Sequence, residues 1–116
     1  MNDERMTQVF SALADPTRRA ILALLAKGEA SVSELAEPFG LRQPTISKHL
    51  RILEEAGFIE QGREAQRRPR SLVVGGPLRD LDTWLRPFRE QWERRLDRLG
   101  MFLERKTKKN RKGEGT

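Results

Sequence analysis

A chain of 116 residues has about the length of one domain, so two independent cores are excluded. The composition is 36% hydrophobic and 34% charged, so a monomer has little apolar area to bury and we expect a helical partner chain. The absence of Cys excludes disulfides, thiolate nucleophiles and thiolate metal sites. No stretch approaches the ~18 apolar residues of a membrane span, and no signal pattern opens the sequence, so no membrane partner and a cytoplasmic location are expected.

The excess positive charge is concentrated in two segments. The sequence has 23 Lys and Arg against 17 Asp and Glu, a formal net charge of +6. Residues 104–116 hold six basic and two acidic side chains, and residues 41–70 hold seven basic and four acidic ones. Residues 106–116 cannot bury an apolar face, so we expect a disordered basic tail after a single domain over residues 1–105. A polyanion is the natural partner of such a chain.

Four helices are predicted before Gly57. The first begins after the capping residue Asn2, and the second follows Asp15-Pro16, a cap and a favoured first-turn proline. A capping box over residues 31–34 starts a short third helix. Gln43 is expected to cap the fourth helix, with a proline in its first turn. Helical spacing gives each helix an apolar side, formed by Met6, Val9, Phe10, Leu13, Ile21, Leu22, Leu24, Leu25, Leu35, Ala36, Phe39, Ile46, Leu50 and Leu53.

The hydrophobic period changes after the fourth helix. Residues 58–61 and 71–74 are predicted as two short strands joined by a polar, Arg-rich turn. Pro69 lacks a backbone donor, so it should lie at a solvent-facing edge or just ahead of the second strand. Two short helices around a Gly turn, followed by a hairpin, describe a winged helix-turn-helix. The predicted fold class is therefore mainly α with a small β-hairpin.

A longer apolar stripe begins at Leu78. Its three- and four-residue steps keep one side of a helix directed to a partner, and the stripe is wider than a three-helix core needs. Pro87 removes a helical hydrogen bond, so a kink or break is expected near Arg86. We expect the chain to dimerise through its N- and C-terminal helices, residues 3–14 and 78–105. The predicted interface residues are Met6, Phe10, Leu81, Leu85, Phe88, Trp92, Leu99 and Phe102.

The fourth helix carries hydrogen-bonding and cationic groups on the side turned away from Ile46. In helix-turn-helix proteins the N-terminal part of this helix enters the major groove, where such groups meet base edges. A surface helix with an ordinary solvated face has the same pattern, but the short capped helix before it and the cationic hairpin after it favour DNA contact. The predicted DNA-binding residues of this helix are Gln43, Pro44, Thr45, Ser47, Lys48 and Arg51.

The predicted hairpin turn carries four arginines that are expected to contact phosphates of the DNA backbone: Arg63, Arg67, Arg68 and Arg70. Phosphate contacts supply affinity and orientation rather than sequence choice. A charged, solubilising loop is the alternative for these four residues. His49 is expected to be partly buried as a packing or phosphate-contacting group, and Arg18 to be structural. One His and no Cys cannot form a catalytic constellation, so the chain is not expected to be an enzyme.

Four segments together resemble the ArsR-type bacterial transcriptional regulators, which are winged helix-turn-helix homodimers that bind operator DNA. The segments are residues 9–19, 31–36, 43–50 and 55–59, and the resemblance extends from about residue 5 to 75. Metal-sensing members have Cys-Val-Cys where this sequence has Ser31-Val32-Ser33, and residues 77–96 resemble the branch that lacks metal sensing. Hydroxyls are poor ligands for soft metals, so no metal and no other cofactor is expected.

The sequence thus predicts a regulator that binds double-stranded DNA in a sequence-specific way, as a homodimer on a palindromic operator. The resemblance implies that it is a repressor. The competing hypothesis is a winged-helix module for protein–protein contact, in which the basic residues meet an acidic partner.

Overall fold

The computed structural model describes residues 2–64 and 66–114, with side chains up to residue 107. The described residues belong to two compact units, one ending at Leu81 and one beginning at Asp82. The elements in chain order are α1 (Asp3–Leu13), α2 (Pro16–Leu25), α3 (Val32–Ala36), a 3-10 turn (Glu37–Phe39), α4 (Gln43–Glu55), β1 (Ile59–Gln61), β2 (Arg70–Leu72) and α5 (Pro77–Glu114). A mainly helical chain with one antiparallel hairpin confirms the predicted fold class.

Side-chain caps start the first three helices where the sequence predicts them. The carboxylate of Asp15 accepts hydrogen bonds from the backbone N–H groups of Thr17 and Arg18 at 2.8 and 3.1 Å. Ser31 and Glu34 form a capping box at the start of α3. The prediction for α4 is wrong by one residue, because the cap position is Arg42, which makes no side-chain cap, and Gln43 is the first helical residue. The proline at the next position has φ preset for a helix, which favours this start without a polar cap.

The hairpin that follows α4 pairs β1 with β2. Ile59 pairs with Leu72, and Gln61 pairs with Arg70. The first strand starts one residue later than predicted, and the second starts one residue earlier and ends two residues earlier. Pro69 lies just ahead of β2, as one of the two predicted placements has it, and the Gly62 N–H donates to its carbonyl at 2.7 Å. An isolated bridge also joins β2 to Ala30, which the sequence pattern does not indicate.

The core of the first unit fixes the orientation of α4. Ile46, Leu50 and Leu53 of α4 are fully buried, as the helical spacing predicts. Each such side chain contributes about 1.5–3 kcal/mol when it is removed from water. They share one cluster with the remaining buried residues, which are Val9, Ala12, Ile21, Leu22, Leu25, Leu35, Ala36, Ala56, Phe58 and Ile59. Since the apolar side of α4 is fixed in this cluster, its opposite side must face outward.

Helix α5 is a single helix of 38 residues. Of the kink or break expected near Arg86, the break is wrong, because the helix continues through Pro87, which removes one backbone hydrogen bond. Arg89 and Asp82 lie on the two sides of this proline and form an ion pair at 2.8 Å, which bridges the weakened turn. Arg89 also donates to the backbone carbonyl of Asp82 at 3.3 Å.

The helical backbone of α5 continues to Glu114 and so enters the segment 106–116, for which the sequence predicts disorder. The side chains beyond Thr107 and the last two residues lie outside the described part of the chain. None of the helices in the described ranges combines the length and the apolar character that a bilayer span requires.

Candidate nucleic-acid interface

The outward side of α4 is open to solvent. All six residues that the sequence assigns to DNA binding on this helix are exposed, while the buried residues lie on its other side. The exposed set contains one amide, two hydroxyls and two cations, which are groups that can donate to or accept from base edges and phosphates. The six residues are Gln43, Pro44, Thr45, Ser47, Lys48 and Arg51.

Two contacts at the C-terminal end of α4 hold it on α1. The guanidinium of Arg5 donates to the carbonyl of Ala56 at 2.6 Å, and the amide of Gln8 donates to the carbonyl of Glu55 at 3.2 Å. Both acceptors lie where a helix leaves carbonyl groups without intrahelical partners, so α1 caps α4 from outside. No local sequence pattern predicts this cap, because the partners are about 50 residues apart.

Arg18 is a structural residue, as predicted, but its partners are mainly backbone carbonyls. Its Nε donates to the carbonyl of Ala12 at 2.6 Å and its Nη2 to that of Ser11 at 3.1 Å. Its Nη1 also lies 3.4 Å from Nδ1 of His49 on α4. His49 is partly buried, as predicted, and its Nδ1 is 3.9 Å from the carboxylate of Asp15. These contacts join the start of α2 to the middle of α4.

The pKa of Asp15 reflects this position. Burial acts to raise the pKa, but the hydrogen bonds from the Arg18 and Thr17 N–H groups and the charges of His49 and Arg18 outweigh it. The net result is a pKa below the ordinary value of 3.8. The ionised carboxylate is therefore the form that the folded chain favours.

The four hairpin arginines have different surroundings. Arg70 has a side chain that is only 12% exposed, and its Nε donates to Glu54 of α4 at 3.0 Å. Gln61 of β1 also donates to Glu54, at 3.2 Å. Arg70 thus anchors the hairpin on α4, whereas the sequence pattern predicts a phosphate contact for it.

Arg67 and Glu34 form an ion pair that joins the hairpin to α3, and both side chains are half exposed. The hydrogen bond from Arg67, followed by that from the Ser31 hydroxyl, holds the pKa of Glu34 below its ordinary value of 4.5. Arg63 and Arg68 are exposed and have no carboxylate partner in the described part of the chain. Arg68 has φ of 40°, in the left-handed region that is unusual for a residue with a side chain.

An open cavity of about 650 Å³ lies between α3, the start of α4 and the hairpin. It brings the first predicted DNA-binding residue of α4 together with three of the hairpin arginines, so one surface combines both predicted groups. The fourth, Arg63, does not line it. The lining residues are Ser31, Val32, Ser33, Glu34, Gln43, Gln66, Arg67, Arg68 and Arg70. Among the described residues, no three His, Asp or Glu side chains are grouped so that they could hold a metal ion.

The residues predicted for a dimer interface divide into two sets. Met6, Leu81 and Leu85 are partly buried, and Leu81 packs against the core of the first unit. The remaining five are exposed: Phe10, Phe88, Trp92, Leu99 and Phe102. On α5, Phe88 also contacts Trp84, with 4.9 Å between the ring centroids.

A short capped helix, a glycine turn, a second helix with an open polar side and an arginine-bearing hairpin define the winged helix-turn-helix class of DNA-binding proteins. A family model described as a helix-turn-helix domain matches residues 13–62. The transcriptional repressor SdpR of Bacillus subtilis is 46% identical over 61 residues, which cover 53% of this chain and 68% of that protein.

Two solved structures extend the similarity. The crystal structure of an ArsR family transcriptional regulator, RHA00566, has 39% identity and a TM-score of 0.68, over 77% of this chain and 97% of that one. The homodimeric winged helix-turn-helix DNA-binding domain of Mb0332 from Mycobacterium bovis has 28% identity and a TM-score of 0.61, over 81% and 93% of the two chains. The chain belongs to the ArsR family of DNA-binding transcriptional regulators, a family of regulators and not of enzymes.

Proposed function

We propose that the chain is a repressor that binds a palindromic operator in double-stranded DNA as a homodimer. The observation that carries this proposal is the open polar side of α4, opposite a fully buried apolar side. A helix fixed in this way can enter a major groove without any rearrangement of the core. The repressor role is supported by the similar protein SdpR, whose name describes a transcriptional repressor.

Base contacts come from the first two turns of α4. Gln43, Thr45 and Ser47 supply donors and acceptors for base edges, and Lys48 supplies a cation for a guanine edge or a phosphate. Arg51 lies one turn further along, where a phosphate contact is the expected role. These exposed side chains therefore form the proposed DNA-contacting surface of α4.

The hairpin contributes phosphate contacts beside α4. Among the described residues of the hairpin, Arg63 and Arg68 can make these contacts without losing an ion pair seen within the chain. Arg70 is assigned to anchoring rather than to DNA, because it is held by Glu54 and little exposed. Arg67 has to leave Glu34 before it can contact a phosphate.

The homodimer is proposed to form through the apolar side of α5 together with α1. Exposed large apolar side chains follow one another along α5, and a contiguous apolar surface of this kind marks an interaction site. The homodimeric domain from Mycobacterium bovis supports a second copy as the partner. A two-fold dimer places two α4 helices in successive major grooves, ~34 Å apart. A cytoplasmic location follows from the proposal, since the regulator must reach its operator.

Selection of bound sequences from a random duplex pool tests the proposal. The expected product is an imperfect palindrome with half-sites centred about one helical turn apart. Recovery of single, unpaired half-sites would contradict the dimeric mode. Enrichment of no sequence, together with salt-insensitive binding to an acidic protein, would favour the winged-helix module for protein–protein contact instead.

A further inference from the structure

Arg67 is one of the hairpin arginines expected to contact DNA phosphate, but in the structure it forms an ion pair with Glu34. Arg67 lines the cavity beside the first turn of α4, together with Gln43 and Arg68. Its Nη2 donates to Oε1 of Glu34 on α3. The guanidinium therefore already has an anionic partner before any DNA is present.

The carboxylate of Glu34 is held in place by other contacts. Its Oε1 also accepts from the Ser31 hydroxyl at 2.9 Å and lies 3.4 Å from the Ser31 N–H, in the capping box that starts α3. A carboxylate fixed by helix capping keeps its orientation, so it does not depend on Arg67 for its position. Arg67 lies on the exposed hairpin, so it is the partner that has to change position to reach a phosphate.

We infer that Glu34 competes with DNA phosphate for Arg67 and so lowers the affinity of the hairpin for DNA. The inference rests on the proposed function, because it requires the hairpin to lie against DNA. When Arg67 moves to a phosphate, the Glu34 carboxylate loses its charged partner, and the loss of this attraction opposes binding. The cost vanishes when the side chain at position 34 carries no charge.

The test compares two charge-removing variants in fluorescence anisotropy with a labelled duplex recovered by the selection above. Glu34→Gln removes the ion pair but keeps a residue type that can complete a capping box. Glu29→Gln is the matched control, because Glu29 is exposed and acts on Arg67 only through its charge. At equal salt we expect Glu34→Gln to bind about two- to fivefold tighter than Glu29→Gln, as suits an exposed ion pair.

A double-mutant cycle with Arg67→Ala then assigns the gain to this pair. In the Arg67→Ala background, Glu34→Gln is expected to bind no tighter than Glu29→Gln. In the presence of Arg67, Glu34→Gln is also expected to steepen the slope of log K against log salt, by at most about 0.9 for one phosphate. Thermal melting of all variants checks that α3 and the hairpin remain folded.

The outcomes separate the inference from the proposed function. Equal affinities of Glu34→Gln and Glu29→Gln would overturn the competition by Glu34 while leaving DNA binding intact. A gain that persists in the Arg67→Ala background would also overturn it, because general repulsion of DNA by Glu34 would then explain the effect. Failure of the wild-type chain to bind any duplex would instead remove the proposed function.

Discussion

Helices α4 and α5 differ in how deeply their apolar stripes are buried within the chain. On α4, Leu53 is 0% exposed, and its neighbours on the same side are buried with it. On α5, Trp92 is 52% exposed, and the large apolar residues around it along the helix are exposed as well. One helix completes its packing within a single chain, whereas the other presents a surface that water covers unless a partner does.

The difference assigns a separate task to each helix. Because the apolar side of α4 is already satisfied, its polar side is free for a partner with hydrogen-bonding groups. Because the apolar side of α5 is not satisfied, its natural partner is another apolar surface. Substitutions on the buried side of α4 should therefore change folding stability. Those on the apolar side of α5 should change dimer association, and those on the polar side of α4 should change DNA affinity.

Removal of a buried side chain of α4 should have the largest effect. Leu53→Ala leaves a cavity in the core cluster and should lower the free energy of unfolding by ~2–5 kcal/mol. Ile52→Ala is the matched control, one residue away on the same helix and 39% exposed, and should cost much less. Urea unfolding followed by circular dichroism measures both. Similar losses for the two variants would contradict the orientation of α4.

A charge on the apolar side of α5 should break association without unfolding the monomer. Trp92→Glu removes an aromatic anchor and places a carboxylate in the proposed interface, which should weaken the dimer by at least ~2 kcal/mol. Thr83→Glu adds the same charge on the opposite side of the helix by its ~100° step and should leave the dimer intact. Sedimentation equilibrium measures the dimer dissociation constant of each variant. An intact Trp92→Glu dimer would move the interface away from α5.

The polar side of α4 should affect DNA affinity alone. Ser47→Ala combined with Lys48→Ala removes two exposed groups and should weaken operator binding by ~1–3 kcal/mol, with little change in melting temperature. Lys27→Ala is a control that removes the same charge from an exposed position outside α4 and the hairpin. Anisotropy titration at fixed salt compares the variants. If the double variant binds like Lys27→Ala, α4 does not read the DNA.

Local sequence patterns predict where the helices lie and which of their sides are buried, but they do not predict the contacts between residues far apart in the sequence. The caps at Asp15 and Ser31 and the buried side of α4 follow from residues a few positions apart, so sequence spacing is enough to find them. The sequence also identifies the exposed residues of α4, since one side of a helix implies the other. Whether those residues contact DNA stays a prediction.

The structure differs from the expectations from sequence mainly where residues far apart in the chain contact each other. Arg67 pairs with Glu34, 33 residues away, and Arg70 with Glu54, 16 residues away. No local rule distinguishes these two from Arg63 and Arg68, for which the described side chains offer no carboxylate partner. The cap on α4 by Arg5 and the bridge at Ala30 depend on the same kind of tertiary placement. Pro87 shows the converse, because a local rule predicts a kink or a break near Arg86 and the helix nevertheless continues through the proline, with the Arg89–Asp82 ion pair across it.

The smallest expected effect is an acid sensitivity that belongs to the unit containing α4. The folded chain holds the pKa of Asp15 below its ordinary value, so the ionised carboxylate contributes stability above that value, and the contribution is lost as the pH falls through the lowered pKa. Asp15→Asn removes the titrating group but keeps an oxygen that can cap α2. Its melting temperature should fall less than that of the wild type between about pH 5 and about pH 3.

Asp3→Asn is the control for this acid sensitivity, because Asp3 is an exposed carboxylate in the first turn of α1. It should follow the wild-type dependence of melting temperature on pH more closely than Asp15→Asn does. If Asp15→Asn and the wild type lose the same number of degrees, the negative charge of Asp15 contributes nothing to stability beyond the cap that Asn also provides. In that case the Asp15–His49 ion pair does not help to hold α4 in its orientation.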